Sequence, residues 1–200
     1  MNELIEAVLT GGFEEVKRLI EEEGEDVNAG TPFGTLREET PGIIRGVTPL
    51  FAASQTGSLE IVRLLLQHHA DVNQANSGGA TPLLKASHRG NLAVVKELVT
   101  NGADVDKSNN KGVTPLFIAS REGHLGVMFH LLINGAVIPE NNVLSPDTND
   151  VSRAMISWLR DAEGDFASEM GDDLRLTAEL FPEAYALLRE SIEERLNEEG

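Results

Sequence analysis

The sequence predicts an all-α solenoid of stacked helix–turn–helix units, with β-turn or hairpin fingers between them and a helical acidic C-terminal extension. Three observations carry this. A phrase returns every 33 residues, as Gly-Val-Thr-Pro-Leu-Phe at 46–51, Gly-Ala-Thr-Pro-Leu-Leu at 79–84 and Gly-Val-Thr-Pro-Leu-Phe at 112–117. The same register holds through Gly57, Gly90 and Gly123, through Leu59, Leu92 and Leu125, and through Val62, Val95 and Met128. Ala70-Asp71-Val72-Asn73 and Ala103-Asp104-Val105-Asp106 then close their units alike.

Within a unit, each element follows from residue chemistry. Thr48 can accept a backbone N–H as a helix cap, and Pro49 has no donor to lose and a φ already suited to the first helical position. Leu50 and Ala53 predict one apolar face of a short helix, which Gly57 ends. Leu59, Ile61, Val62, Leu64, Leu65 and Leu66 predict a second helix. Residues 102–112 are rich in turn formers between two helical patterns, which predicts an outstretched finger. Such a unit cannot bury its apolar faces alone and must stack on neighbours.

A diverged first unit precedes these three. Leu4, Ala7, Gly11, Phe13, Val16, Leu19 and Ile20 fall into register when Val16 is matched to Val62. It lacks Thr-Pro and carries Glu3, Glu6, Glu14, Glu15 and Lys17, as an end unit with one wet face should.

The period, the Thr-Pro-Leu phrase and the downstream Gly together resemble the ankyrin repeat. The resemblance divides the chain into a repeat domain over 1–138, with an N-terminal capping repeat at 2–30, an insertion in the first finger at about 30–45 and repeats at 46–78, 79–111 and 112–138. A degenerate capping unit is expected at 139–160, and an acidic extension at 161–200 with a terminal helix at about 178–197. Ankyrin repeats bind other proteins, mainly through finger tips and the exposed positions of each unit's first helix. Carried over here, the finger positions are Ile44, Arg45 and Val47; Ser77, Gly78 and Ala80; and Asn110, Lys111 and Val113. The helix positions are Gln55 and Thr56, His88 and Arg89, Arg121 and Glu122, with Leu9 and Thr10 in the first unit.

This set holds Arg45, Arg89, Lys111, Arg121 and His88 against one acid, Glu122, so the concave face is expected to be basic and to receive an acidic or phosphorylated peptide. The expected role is that of a non-catalytic adaptor. One alternative is a targeting or regulatory subunit whose acidic C-terminal helix makes the main contact or covers the repeat surface. Another is a purely structural part of a larger assembly. The family's His after Thr-Pro-Leu is replaced by Phe51, Leu84 and Phe117, which shifts the stack toward packing. His124 falls where the family has Gly-His and is read as structural. Asn73 resembles family asparagines that are hydroxylated in some proteins, although bracing the finger is the simpler role.

Composition narrows the function classes. Aromatics are 4% of the chain, so the core must be built from Leu, Val, Ile and Ala. Cysteine is absent, which removes disulfides, thiolate catalysis and cysteine zinc sites. The opening Met-Asn-Glu-Leu-Ile-Glu has no basic leader region, and no apolar run approaches the ~18 residues of a membrane span. A cytoplasmic or nuclear, monomeric protein is expected. Net charge −17 argues against nucleic acid and anionic membranes as partners. Residues 139–200 hold 16 acids against 5 bases, so the charge is concentrated there.

The period breaks twice. Val27 and Thr48 are 21 residues apart where Val72 and Thr81 are 9 apart, so the first finger carries about 12 extra residues, including Phe33, Ile43 and Ile44. They make a tolerated surface loop, added contact area for a partner, or a segment that folds back on the stack. Near Pro139 the period stops. Val151, Ala154, Met155, Trp158 and Leu159 share a helical face, which could cover the end of the stack or present Trp158 to a partner. Tyr185, Leu188, Ile192 and Leu196 share another, which could dock on the solenoid edge, self-associate or enter a partner's groove.

The inventory for catalysis is poor, and no enzyme or cofactor is expected. The five histidines form no metalloprotease motif, and no nucleophile elbow or phosphate loop is present. His68 and His69 diverge by roughly 100° on a helix and have no apparent third ligand. The acidic run Glu21 to Asp26 lacks a calcium-loop pattern.

Overall fold

The computed structural model describes residues 2–31 and 46–137. Residues 32–45 of the insertion, Ile44 and Arg45 among them, the Trp158 unit and the terminal helix fall outside the described residues. Among the described residues there are eight helices and no strand: α1 (Glu3–Thr10), α2 (Phe13–Glu21), α3 (Pro49–Thr56), α4 (Leu59–Gln67), α5 (Pro82–Arg89), α6 (Leu92–Thr100), α7 (Pro115–Arg121) and α8 (Leu125–Ile133).

The repeated Thr-Pro does what its chemistry requires. Thr48, Thr81 and Thr114 are extended, and their Oγ1 atoms accept the N–H of Phe51, Leu84 and Phe117 at 3.1, 3.2 and 3.2 Å. Each such cap stabilises its helix by about 1 kcal/mol. In the first unit Asn2 takes that place, its Oδ1 accepting Ile5 N–H at 3.2 Å.

Helices α1, α3, α5 and α7 pack side by side in an inner row; α2, α4, α6 and α8 form an outer row behind them, and each unit's two helices pack on each other. Leu4, Leu50, Leu83 and Leu116 of the inner row meet Leu19, Ile61, Leu65, Leu98, Met128 and Leu131 of the outer row in one continuous core. Each fully buried side chain of this size contributes about 1.5–3 kcal/mol. The single apolar face expected for α3 is too narrow a description. Six consecutive residues, Pro49 to Ser54, are buried because inner helices flank α3 on both sides and α4 lies behind.

The fingers are tight turns. Asn76 N–H donates to Ala80 O and Asn109 N–H to Val113 O, both at 3.0 Å. The Oδ1 of Asn76 also accepts from Gly78 and Ala80 N–H, and that of Asn109 from Lys111 and Val113 N–H. Thr31 does the same work in the first finger: its N–H donates to Val47 O at 3.0 Å and its Oγ1 accepts Val47 N–H at 3.1 Å. The neck of the first finger is thus closed between Thr31 and Val47.

A second set of bonds ties unit to unit. Asn73 Nδ2–H donates to Gly102 O at 3.0 Å while its Oδ1 accepts Asp104 N–H at 2.9 Å. Asn28 repeats the pattern one unit earlier, toward His69 O at 3.4 Å and from Asp71 N–H at 2.7 Å. Asp106, which can only accept, receives Val137 N–H at 2.9 Å. Bracing is thus the role in which Asn73 is found.

Candidate protein-binding surface

The inner helices end at turns that bring their last residues to one side of the stack. At Gly90, φ is +72° and an added Cβ would lie 2.6 Å from the His124 ring, so only glycine both turns the chain and admits that neighbour. His124 Nε2–H donates to His88 O at 3.2 Å, and Asn91 Nδ2–H donates to Ser54 O at 3.0 Å. These bonds set the C-terminal ends of α3, α5 and α7 side by side.

His88, Arg89, Arg121 and Glu122 come together there. Arg121 places Nε and Nη2 at 3.0 and 2.7 Å from Glu122 Oε1, and His88 Nε2 lies 3.8 Å from the same oxygen. The Arg121 hydrogen bond holds the Glu122 carboxyl below its ordinary pKa. Arg121 is therefore largely spoken for, while Arg89 is exposed and has no acidic partner among the described residues.

Sequence reasoning missed Lys85, one turn before Arg89 on α5. Its ammonium sits 5.7 Å from the centroid of the Phe51 ring, and it has no carboxylate partner among the described residues. Burial, and then the charge of Arg89, lower its pKa. The register carried the missing signal. Lys85 stands where the neighbouring units have Ala52 and Ile118, which are 1% and 4% exposed. His88 is held below the ordinary histidine pKa of 6.5, first by burial and then by Lys85, with Arg89 and Arg121 adding and Glu122 opposing.

The other expected contact residues are more dispersed. Gln55 is half-buried at the end of α3; Thr56 is exposed, with Oγ1 bonded to Ala53 O at 3.1 Å. Val47, Ala80 and Val113 are half-buried and their backbones close the finger turns. Ser77, Gly78, Asn110 and Lys111 are exposed at the tips. The two tips are joined: Asn110 Nδ2–H donates to Ser77 O and Asn110 N–H to Gly78 O, both at 3.0 Å. In the first unit Leu9 is 45% exposed and Thr10 caps its own helix through Glu6 O and Ala7 O.

On the outer row, Arg63 pairs with Glu97 at 2.8 Å, and Arg18 pairs with Glu15 and Glu23. His68 faces Glu21 at 3.7 Å. Among the described residues no group of three or more His, Cys, Asp or Glu could hold a metal ion, and no helix is long and apolar enough to cross a membrane.

A family model for ankyrin repeats (3 copies) matches residues 4–109 and 74–142. A search of curated proteins finds no match.

Proposed function

Because the chain belongs to the ankyrin repeat family, whose members generally mediate protein–protein interactions, we propose that it is a non-catalytic adaptor holding an acidic segment of a partner protein on the inner-helix ends and fingertips. The observation that supports this most is the cluster of Lys85, His88, Arg89 and Arg121 on a protein of net charge −17, with Glu122 as its one acid among the groups that act on His88. Cations gathered on one surface of an acidic chain attract carboxylates and set their register.

A second reading has support in the charge distribution. The acidic extension at residues 161–200, with 13 acids against 3 bases, could occupy the same surface until a partner displaces it. Truncation after residue 160 then strengthens partner binding, and unchanged affinity rejects that reading while leaving the first in place.

The test is affinity purification with the full chain, with Arg89→Glu/Arg121→Glu, and with Lys17→Glu at an exposed position of α2 as a control of equal sign. A partner retained by the full chain and by the control but lost by the double variant is then remeasured with purified components. Equal retention by all three rejects the surface. In a cell, cytoplasmic or nuclear placement is proposed with the same reading.

A further inference from the structure

The lysine at position 85 is out of place for a packing residue. The units before and after put Ala52 and Ile118 there, both buried, and the fold plainly accepts an alkyl side chain at that point. Instead the chain keeps a half-buried ammonium against the Phe51 ring. Arg89 lies one turn on along the same helix face, at the i+4 spacing that brings two like charges together at a cost. Neither cation has a carboxylate partner among the described residues, although the neighbouring Arg121 has Glu122. The ring holds the ammonium through its face. That contact leaves the N–H donors of Lys85 and the guanidinium fork of Arg89 without an anion.

We infer that Lys85 and Arg89 form the seat for one phosphorylated serine or threonine side chain of a partner protein. A phosphomonoester carries nearly two negative charges near neutral pH and three strong acceptor oxygens. It matches two adjacent monocations, whereas one carboxylate neutralises only one. The guanidinium can take two of those oxygens side by side and the ammonium a third. Glu122 stands at the rim on the Arg121 side, so a flanking basic residue of the partner could meet its exposed carboxylate. The inference rests on the partner-binding reading above and makes it more specific.

The test uses the full chain with isotope-labelled lysine and arginine side chains. It is titrated with three otherwise identical blocked nonapeptides centred on phosphoserine, glutamate or serine, and separately with inorganic phosphate. The phosphoserine peptide is expected to shift the Lys85 and Arg89 signals and to bind at least about tenfold more tightly than the glutamate peptide, which is about 1.4 kcal/mol. Lys85→Ile and Lys85→Ala, which copy the neighbouring units, should keep the fold and each weaken phosphopeptide binding by about tenfold; Arg89→Gln should do likewise. Equal binding of the phosphoserine and glutamate peptides, both lost in the variants, overturns the phosphate assignment and leaves the acidic-segment reading standing. Inorganic phosphate binding as tightly as the peptide overturns the peptide as ligand. Shifts that are absent, or unchanged in the variants, overturn both.

Discussion

The Asn73 side chain spans two units, its Oδ1 accepting Asp104 N–H at 2.9 Å while its Nδ2–H donates to Gly102 O at 3.0 Å. One amide thereby satisfies both backbone groups at the turn after α6. Asn73→Ala should lower unfolding free energy by about 1.5 kcal/mol, since both partners lose their bond. Asp106→Ala, with a single such bond to Val137 N–H, should cost about half as much. Urea denaturation of the two variants checks the order; a larger loss at Asp106 contradicts it.

His69 has φ +64°, at the register position that Gly102 and Gly135 occupy with φ +85° and +89°. The left-handed conformation costs a residue with a Cβ roughly 1–2 kcal/mol, and glycine gives back roughly 0.5–1 in unfolded-chain entropy. His69→Gly should therefore stabilise the protein by about 0.5 kcal/mol, and His69→Val should destabilise it. A thermal melt of both variants decides the sign.

Thr31 and Val47 close the neck of the first finger, and residues 32–45 lie between Thr31 and Gly46 in the sequence. Replacing those 14 residues by Ser-Gly, the tip of the second finger, should leave the fold intact and stabilise it by about 1 kcal/mol through the shorter loop. Loss of stability in urea would mean that the segment packs on the stack. Loss of partner affinity at unchanged stability would favour the reading in which Phe33, Ile43 and Ile44 touch a partner.

Histidine ionisation should make stability fall in mild acid. Burial lowers the pKa of His88 and of His130 below the ordinary 6.5. Lys85, Arg89, Arg121 and Glu122 also act on His88, and Lys96 on His130. The folded state then binds fewer protons than the unfolded state. The stability these groups contribute is complete above 6.5 and is lost as pH falls through the depressed values. The urea midpoint should be lower at about pH 5.5 than at about pH 7.5, and His88→Gln/His130→Gln should shrink the difference. Carbon-bound proton shifts of the two rings give the titrations directly.

The scaffold was legible in the sequence because stacking imposes one period on caps, turns and core alike, so that Thr48, Thr81 and Thr114 had to recur together. The surface was less so. Lys85 reads as an ordinary solvated lysine within α5, and only comparison with Ala52 and Ile118 shows that it occupies a buried register position. Pairing of Arg121 with Glu122 depends on rotamers, which a list of charges does not contain. Thr31 was hidden by the 12-residue offset, although its backbone and hydroxyl bonds match those of Asn76.

The inner-helix surface around Arg89 is proposed as the place where a partner binds. The affinity of a purified partner for the full chain, for Arg89→Glu/Arg121→Glu and for Lys17→Glu, each with its thermal melt recorded beside it, decides this. A loss of at least about tenfold, or 1.4 kcal/mol, is expected for the double variant alone, with melting unchanged. Equal affinity for all three proteins contradicts it.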